Sequence, residues 1–334
     1  MYLRVRSFGP PRSGRGARAR LGWFAVAAGF PSARSRSVTG LTGPGVGTPP
    51  GAGTPPVELR HICSRFVSIL EALVLGSVQG LTEFIPISSS GHLVLVPEAL
   101  GWDHPGLAFD VMLHTASLLA LLVYFSGDLL DLVKGVRAGD PSSRRMVWLL
   151  GIGTIPAGAA GLLFGDYFEG AFEDAEAAAV QLIVTAAILV GAEMALAYYR
   201  RRSAEVGSSL RTVKDLDTKD AVIIGIAQAI SILPGISRSG STIAAGLALR
   251  VERDDAARFA FLLAIPALLG ATIVELPELG GSSLGATSAA IGFLASLVTS
   301  YAAIAALIRY LKTRTLYPFA AYCVVAGLLF LIFV

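Results

Sequence analysis

Two short runs hold the residues in this chain whose types and spacing could do chemistry. The first is Gln79-Gly-Leu-Thr-Glu83-Phe-Ile-Pro-Ile-Ser88-Ser89-Ser90-Gly91-His92. Gln79 and Glu83 are four apart, so a helix presents both on one face. A carboxylate beside a neutral amide suits one hard divalent cation, Mg²⁺ or Ca²⁺, bound through oxygen with waters and a substrate phosphate completing its shell. The serine hydroxyls supply donors or a nucleophile, and His92 is the natural proton shuttle. The second run is Pro234-Gly-Ile-Ser237-Arg238-Ser239-Gly240-Ser-Thr242, placed just before an apolar stretch. A Gly-rich turn that opens a helix points backbone N–H groups at an anion, and Arg238 adds a planar fork matching phosphate oxygens. Ser88, Ser90, Ser237, Ser239 and Thr242 join Arg238 as candidate phosphate-binding groups. The constellation reads as a metal and proton-transfer tip facing a phosphate clamp.

The elements that position these runs follow from an internal echo. Gly76 and Gly225, Gln79 and Gln228, and Gly91 and Gly240 are each 149 residues apart. Composition puts the chain among membrane proteins: 54% of residues are apolar and 15% charged, with a mean hydropathy of +0.65. Apolar runs near 107–125, 146–165, 178–199, 257–276, 286–308 and 316–334 are each long enough for one crossing. The echoed regions, about 67–98 and 221–250, are too long for one helix and too broken for a plain span. Each predicts a helical hairpin that enters the membrane, turns at the motif and returns. Lys and Arg concentrate at 127–145, 200–219, 250–258 and 309–314, whereas 166–176 and 275–285 carry acids and no base. The positive-inside rule puts the basic connections in the cytoplasm. The expected fold is an all-α polytopic membrane protein with about six full spans and two re-entrant helical hairpins. Its halves, about 67–199 and 216–334, are expected to form an inverted-topology repeat with both tips near mid-membrane.

Residues 1–66 are rich in Arg, Gly, Pro and Ser, with one apolar stretch from Leu21 to Phe30. This composition is compatible with a secretory signal or a disordered tail. The preferred reading is a start assigned too far upstream, with the functional membrane domain, 67–334, beginning near Val67. Cys63 and Cys323 have no ligand-like spacing, which argues against a disulfide framework or a zinc site. No nucleic-acid partner is expected, and a homodimer is left open.

The two runs resemble the signature motifs of the undecaprenyl-diphosphatase family, also called bacitracin-resistance proteins. The similarity extends from about residue 67 to the C-terminus and includes Leu262-Leu-Ala-Ile-Pro266. The resemblance implies a cell-membrane phosphatase that removes the terminal phosphate of a polyprenyl diphosphate. Its product is the monophosphate carrier lipid for cell-envelope glycan synthesis. The resemblance also implies a divalent cation and a site open to the outer face. By position, Glu83 matches the second acid of the family's Glu/Gln-x-x-x-Glu motif, and Gln79 fills the first place with an amide, one negative charge fewer. Ser88, Ser89 and His92 match the hydroxyl and imidazole positions, and Arg238 the phosphate-binding arginine.

Two routes stay open for the attack. Ser89 acts as nucleophile with His92 or Glu83 as base, or a metal-bound water attacks with His92 as base; the serine route is preferred. Transport or flipping of a phosphorylated polyprenyl lipid would also suit the repeat and the clamp, but leaves Glu83, His92 and the serines without a task. A different class of lipid phosphatase shares a Ser-Gly-His element, like Ser90-Gly91-His92. It needs a later histidine, and none follows Arg238.

Overall fold

A computed structural model describes residues 67–171, 174–207, 209–279 and 285–333. The expectations for the N-terminal segment, and for Cys63, lie outside these residues. Among the described residues the chain forms eleven α-helices, one short 3₁₀ turn and no strand.

Both echoed regions are helix–break–helix units. The first joins α1 (Ile69–Phe84) to α2 (Ser89–Leu100). The break begins at Ile85, whose extended backbone follows from the proline after it. It ends at Ser88, which sits at a positive φ of 68°. Beyond α2 run α3 (Leu107–Tyr124), α4 (Ser126–Arg137), α5 (Pro141–Ala171) and α6 (Ala175–Val206). The second unit joins α7 (Thr218–Ile230) to α8 (Arg238–Ala248), and α9 (Arg253–Leu279), α10 (Ala286–Leu311) and α11 (Tyr317–Phe333) complete the chain. Each of the six apolar runs falls in one helical element, although α5 is kinked at Phe164, whose backbone is not helical (φ −122°, ψ 20°). By length and composition α5, α6, α9 and α10 are each able to cross a membrane, and α3 with α4 makes a fifth candidate bent by 65°. Leu163, Val184, Ile273, Val298 and Ile332 are among many large apolar side chains left exposed along these helices. Such a surface suits lipid and not water, and the chain is a multi-pass membrane protein.

One basic connection differs from the sequence reading. Most of 127–145 is helical, since α4 spans Ser126–Arg137 with its acid, Asp128, in the first turn and Lys134 and Arg137 in the last, as the helix dipole favours. Asp140 then caps α5, and hydrogen bonds from Ser142 and Ser143 hold its carboxyl well below the usual carboxylate range.

The halves interlace through small residues. Gly76 and Gly80 of α1, one turn apart, lie directly on Gly292, Ser296 and Ser300 of α10, so close that a Cβ on either glycine would collide with α10 backbone. Gly225 of α7 packs in the same way on Gly153 of α5. Without a hydrophobic driving force in lipid, close backbone approach of this kind is what holds helices together. Ser117 of α3 reinforces the first contact, hydrogen bonding Ser296 at 3.2 Å and Ser300 at 2.9 Å. Each broken unit is thus clasped by a long helix of the other half.

A buried ion pair ties three more elements. Arg253 Nε donates to Glu193 Oε1 at 2.8 Å and a second guanidinium nitrogen reaches Glu193 Oε2. Glu193 Oε1 also accepts from the Leu316 amide at 2.8 Å, so α6, α9 and the start of α11 converge on one carboxylate. Glu193→Ala would leave Arg253 buried and unpaired, at a cost of about 3–5 kcal/mol. The expected result is a clear fall in the thermal midpoint of the detergent-solubilised protein, whereas Glu252→Ala, at an exposed pair with Arg200, should barely shift it.

Candidate active site

The breaks of the two units meet. Ser239 donates to the Ile85 carbonyl at 3.3 Å, linking the second turn to the first. Both turns open helices at serine caps: the Ser88 hydroxyl accepts from the Gly91 amide at 3.4 Å and that of Ser237 from the Gly240 amide at 3.1 Å. The second turn depends on Gly235, which has φ +88° and lies so close to the Ala178 carbonyl that no side chain fits. Thr185 on α6 then locks it, donating to the Gly235 carbonyl and accepting from the Ser237 amide, both at 3.0 Å.

Between the turns Glu83 is the hub. Its Oε2 accepts from Ser89 Oγ at 2.6 Å and from Gln79 Nε2 at 3.1 Å. Arg238 Nη1 lies 3.6 Å from Oε1. His114, on α3, brings its Nε2 to 3.5 Å from Oε2. The carboxylate is buried, with the Arg238 guanidinium as a neighbouring cation and an imidazole at its other oxygen, as a membrane-embedded acid requires. Glu83, Ser89, His114 and Arg238 line a cavity of about 10 Å³ together with Ser88, Ser90, Ser231, Ile236 and Ser237, room for about one water molecule.

The predicted residues divide into two groups. Glu83, Ser88, Ser89, Ser90, Ser237 and Arg238 share the cavity, and Gln79 stands behind Glu83. His92, Ser239 and Thr242 are buried close by but do not line it. Thr242 Oγ1 returns its proton to the Arg238 carbonyl at 2.8 Å, within its own helix. His92 turns the other way: Nδ1 meets the Ser88 carbonyl at 2.7 Å and Nε2 the Tyr322 hydroxyl at 2.7 Å. A carbonyl only accepts, so Nδ1 carries the proton and Nε2 accepts from Tyr322. His92 thereby fixes the positive-φ residue next to Ser89.

His114 and Thr185 are the site residues that the sequence reading missed. A signal for His114 was present, since Asp110 and His114 are four apart in an apolar run, the spacing that drew attention to Gln79 and Glu83. Its Nδ1 donates to the Asp110 carbonyl at 2.9 Å, which leaves Nε2 facing the Glu83 carboxylate at 3.5 Å.

For a cation, the donor set is lean. Among the described residues no group of three or more His, Cys, Asp and Glu side chains could hold a metal. Gln79 Oε1, however, is buried without a hydrogen-bond partner beside Glu83, and buried carbonyl oxygens are seldom left so. One carboxylate and one orphaned amide oxygen fit a hard cation that brings most of its shell with it as water and phosphate.

Residues 72–329 match the family described as bacitracin resistance protein BacA. The chain belongs to this family. A protein of Gloeobacter violaceus named undecaprenyl-diphosphatase is 42% identical over 273 residues, covering 79% of this chain and 91% of that protein. One of the same name from Methanosphaera stadtmanae is 39% identical over 282 residues, 80% of this chain and 98% of its own length. A third, from Myxococcus xanthus, is 39% identical over 275 residues, 80% and 89% of the two chains. The matched span of this BacA-family chain contains both turns, α3 with His114, and α6 with Thr185.

Proposed function

We propose that this chain is an undecaprenyl-diphosphatase that hydrolyses the terminal phosphate of a polyprenyl diphosphate and returns the monophosphate carrier lipid to cell-envelope glycan synthesis. The observation that carries the reading is the Ser89 hydroxyl donating at 2.6 Å to buried Glu83, with Arg238 on the opposite turn. A hydroxyl against a base, facing a guanidinium, is the arrangement of an activated nucleophile with an electrophilic clamp.

Ser89 gives its proton to Glu83 Oε2 as its oxygen attacks the terminal phosphorus. The bridging P–O bond breaks, the polyprenyl monophosphate leaves with the proton held by Glu83, and a phosphoserine remains. Water, deprotonated by the freed Glu83 carboxylate, then attacks the phosphoserine phosphorus, the Ser89 Oγ–P bond breaks, the proton passes from Glu83 to Ser89 Oγ, and inorganic phosphate is released. Arg238 and the N-termini of α2 and α8 supply the charge stabilisation that phosphoryl transfer mainly needs. Gln79 Oε1 and Glu83 are the oxygens available to Mg²⁺ or Ca²⁺, which when bound would neutralise phosphate charge. The position of His92, turned toward Tyr322, favours the serine route over a water activated by His92. A cavity of about 10 Å³ cannot hold a phosphate, so the turns must part as the substrate enters. Transport alone would leave the Ser89–Glu83 contact without a use.

The same reading holds the two broken units to be re-entrant hairpins in an inverted repeat of about six spans, with basic connections in the cytoplasm and the site open to the outer face. Support comes from the charge pattern of the connections and from the reciprocal clasp of α1 by α10 and α7 by α5.

The test is phosphate release from a long-chain polyprenyl diphosphate by purified protein in detergent, with Mg²⁺ or Ca²⁺ and with chelator. Metal-dependent release is expected; none from folded protein with any metal would discard the reading. In the same assay His114→Ala is expected to slow turnover by about 10²-fold, the lower range for loss of acid–base assistance. A rate within twofold of wild type would remove His114 from the machinery.

A further inference from the structure

A second cleft, of about 540 Å³ and sharing no lining residue with the paired turns, lies among the basic connections between α4, α5, α9 and the 3₁₀ turn Val213–Asp215. Its size is that of a small-molecule site. The floor is apolar, with Leu132, Met146, Leu149 and Leu262, and the rim is charged. Most rim groups already have partners. Arg258 pairs with Asp128. Arg145 donates to the backbone carbonyls of Lys214 and Leu216. The hydroxyls of Ser142 and Ser143 both go to Asp140. Two rim charges remain uncommitted among the described residues, Lys214 on the 3₁₀ turn and Asp131 on α4, one of each sign. Unpaired charges are ordinary on a surface; here a single cleft with an apolar floor holds both.

The surroundings point to lipid. α4 bends 65° away from α3, and it leaves Leu130 and Val133, 57% and 47% exposed, on its side away from the cleft. A helix that continues a candidate span at a sharp bend and leaves bare Leu and Val among its charges lies at a membrane surface. We propose that the cleft binds the headgroup of an aminophospholipid from the leaflet on the basic side, its phosphate on Lys214, its ammonium on Asp131 and its glycerol end over the apolar floor. A headgroup without an amine would satisfy Lys214 but leave Asp131 without a cation, so the site discriminates by the amine.

Native mass spectrometry of delipidated protein, titrated with phosphatidylethanolamine or phosphatidylglycerol of the same acyl chains, tests this. Wild type is expected to retain the ethanolamine lipid about tenfold better, the worth of one charge-assisted hydrogen bond. Asp131→Asn should abolish that preference, and Lys214→Glu should lower retention of both lipids, with phosphate release and melting midpoint unchanged in each variant. Equal retention of both lipids by wild type would overturn the proposal, as would a preference that survives both substitutions. Glycerophosphoethanolamine, without acyl chains, binding as tightly as the lipid would overturn the assignment to a membrane source. Because the readout is lipid retention, its failure leaves the diphosphatase reading untouched.

Discussion

Ser89→Ala is expected to lower phosphate release by about 10⁴-fold or more while the protein keeps its melting temperature. Removing a nucleophile that works as a unit with its base eliminates most of the chemical acceleration, leaving only what the electrostatic surroundings supply. The hydroxyl contributes little to folding, because its one hydrogen bond goes to Glu83. Glu83 would keep Gln79, His114 and Arg238 around it. The check is a comparison of single-turnover rates at saturating polyprenyl diphosphate. A Ser89→Ala rate within tenfold of wild type would move the attack to water.

Arg238→Ala is the second large effect, about 10³-fold in kcat/KM, the scale for loss of a guanidinium that stabilises a transferring phosphoryl group. Arg238→Lys should recover only part of it, since a point charge cannot reproduce the planar fork. Loss of Arg238 also removes a neighbouring cation from buried Glu83. Substrate titrations separate the two causes. If kcat falls with KM nearly unchanged, the arginine acts on the transition state. If only KM rises, it serves binding alone, and the proposed electrostatic role fails.

Much of the site was legible because its residues cluster in runs that break membrane helices. Pro86, Gly235 and the serine caps mark the breaks, and the offset that aligns Gly76 with Gly225 places both turns. What stayed hidden depends on partners distant in sequence. Gly76 and Gly80 explain themselves only against Gly292 and Ser296, so the interlacing of the halves could not be read from either run. Thr185, Glu193 and His114 are single polar residues inside apolar stretches, and a hydropathy reading passes over them. His92 illustrates the opposite case. Its place beside the serines suggests a shuttle, and only the folded chain shows its ring reaching the Ser88 carbonyl and the Tyr322 hydroxyl. Likewise α4 lies within a basic connection, where its charges mask its helical periodicity.

The most direct test of the account is a rapid-quench time course of wild-type protein with a long-chain polyprenyl diphosphate, followed by digestion and mass spectrometry of the peptide containing Ser89. The account predicts a phosphate on Ser89 that rises before inorganic phosphate appears and decays as it is released. Inorganic phosphate forming with no phosphoserine at any time, and at an unchanged rate in Ser89→Ala, would contradict it.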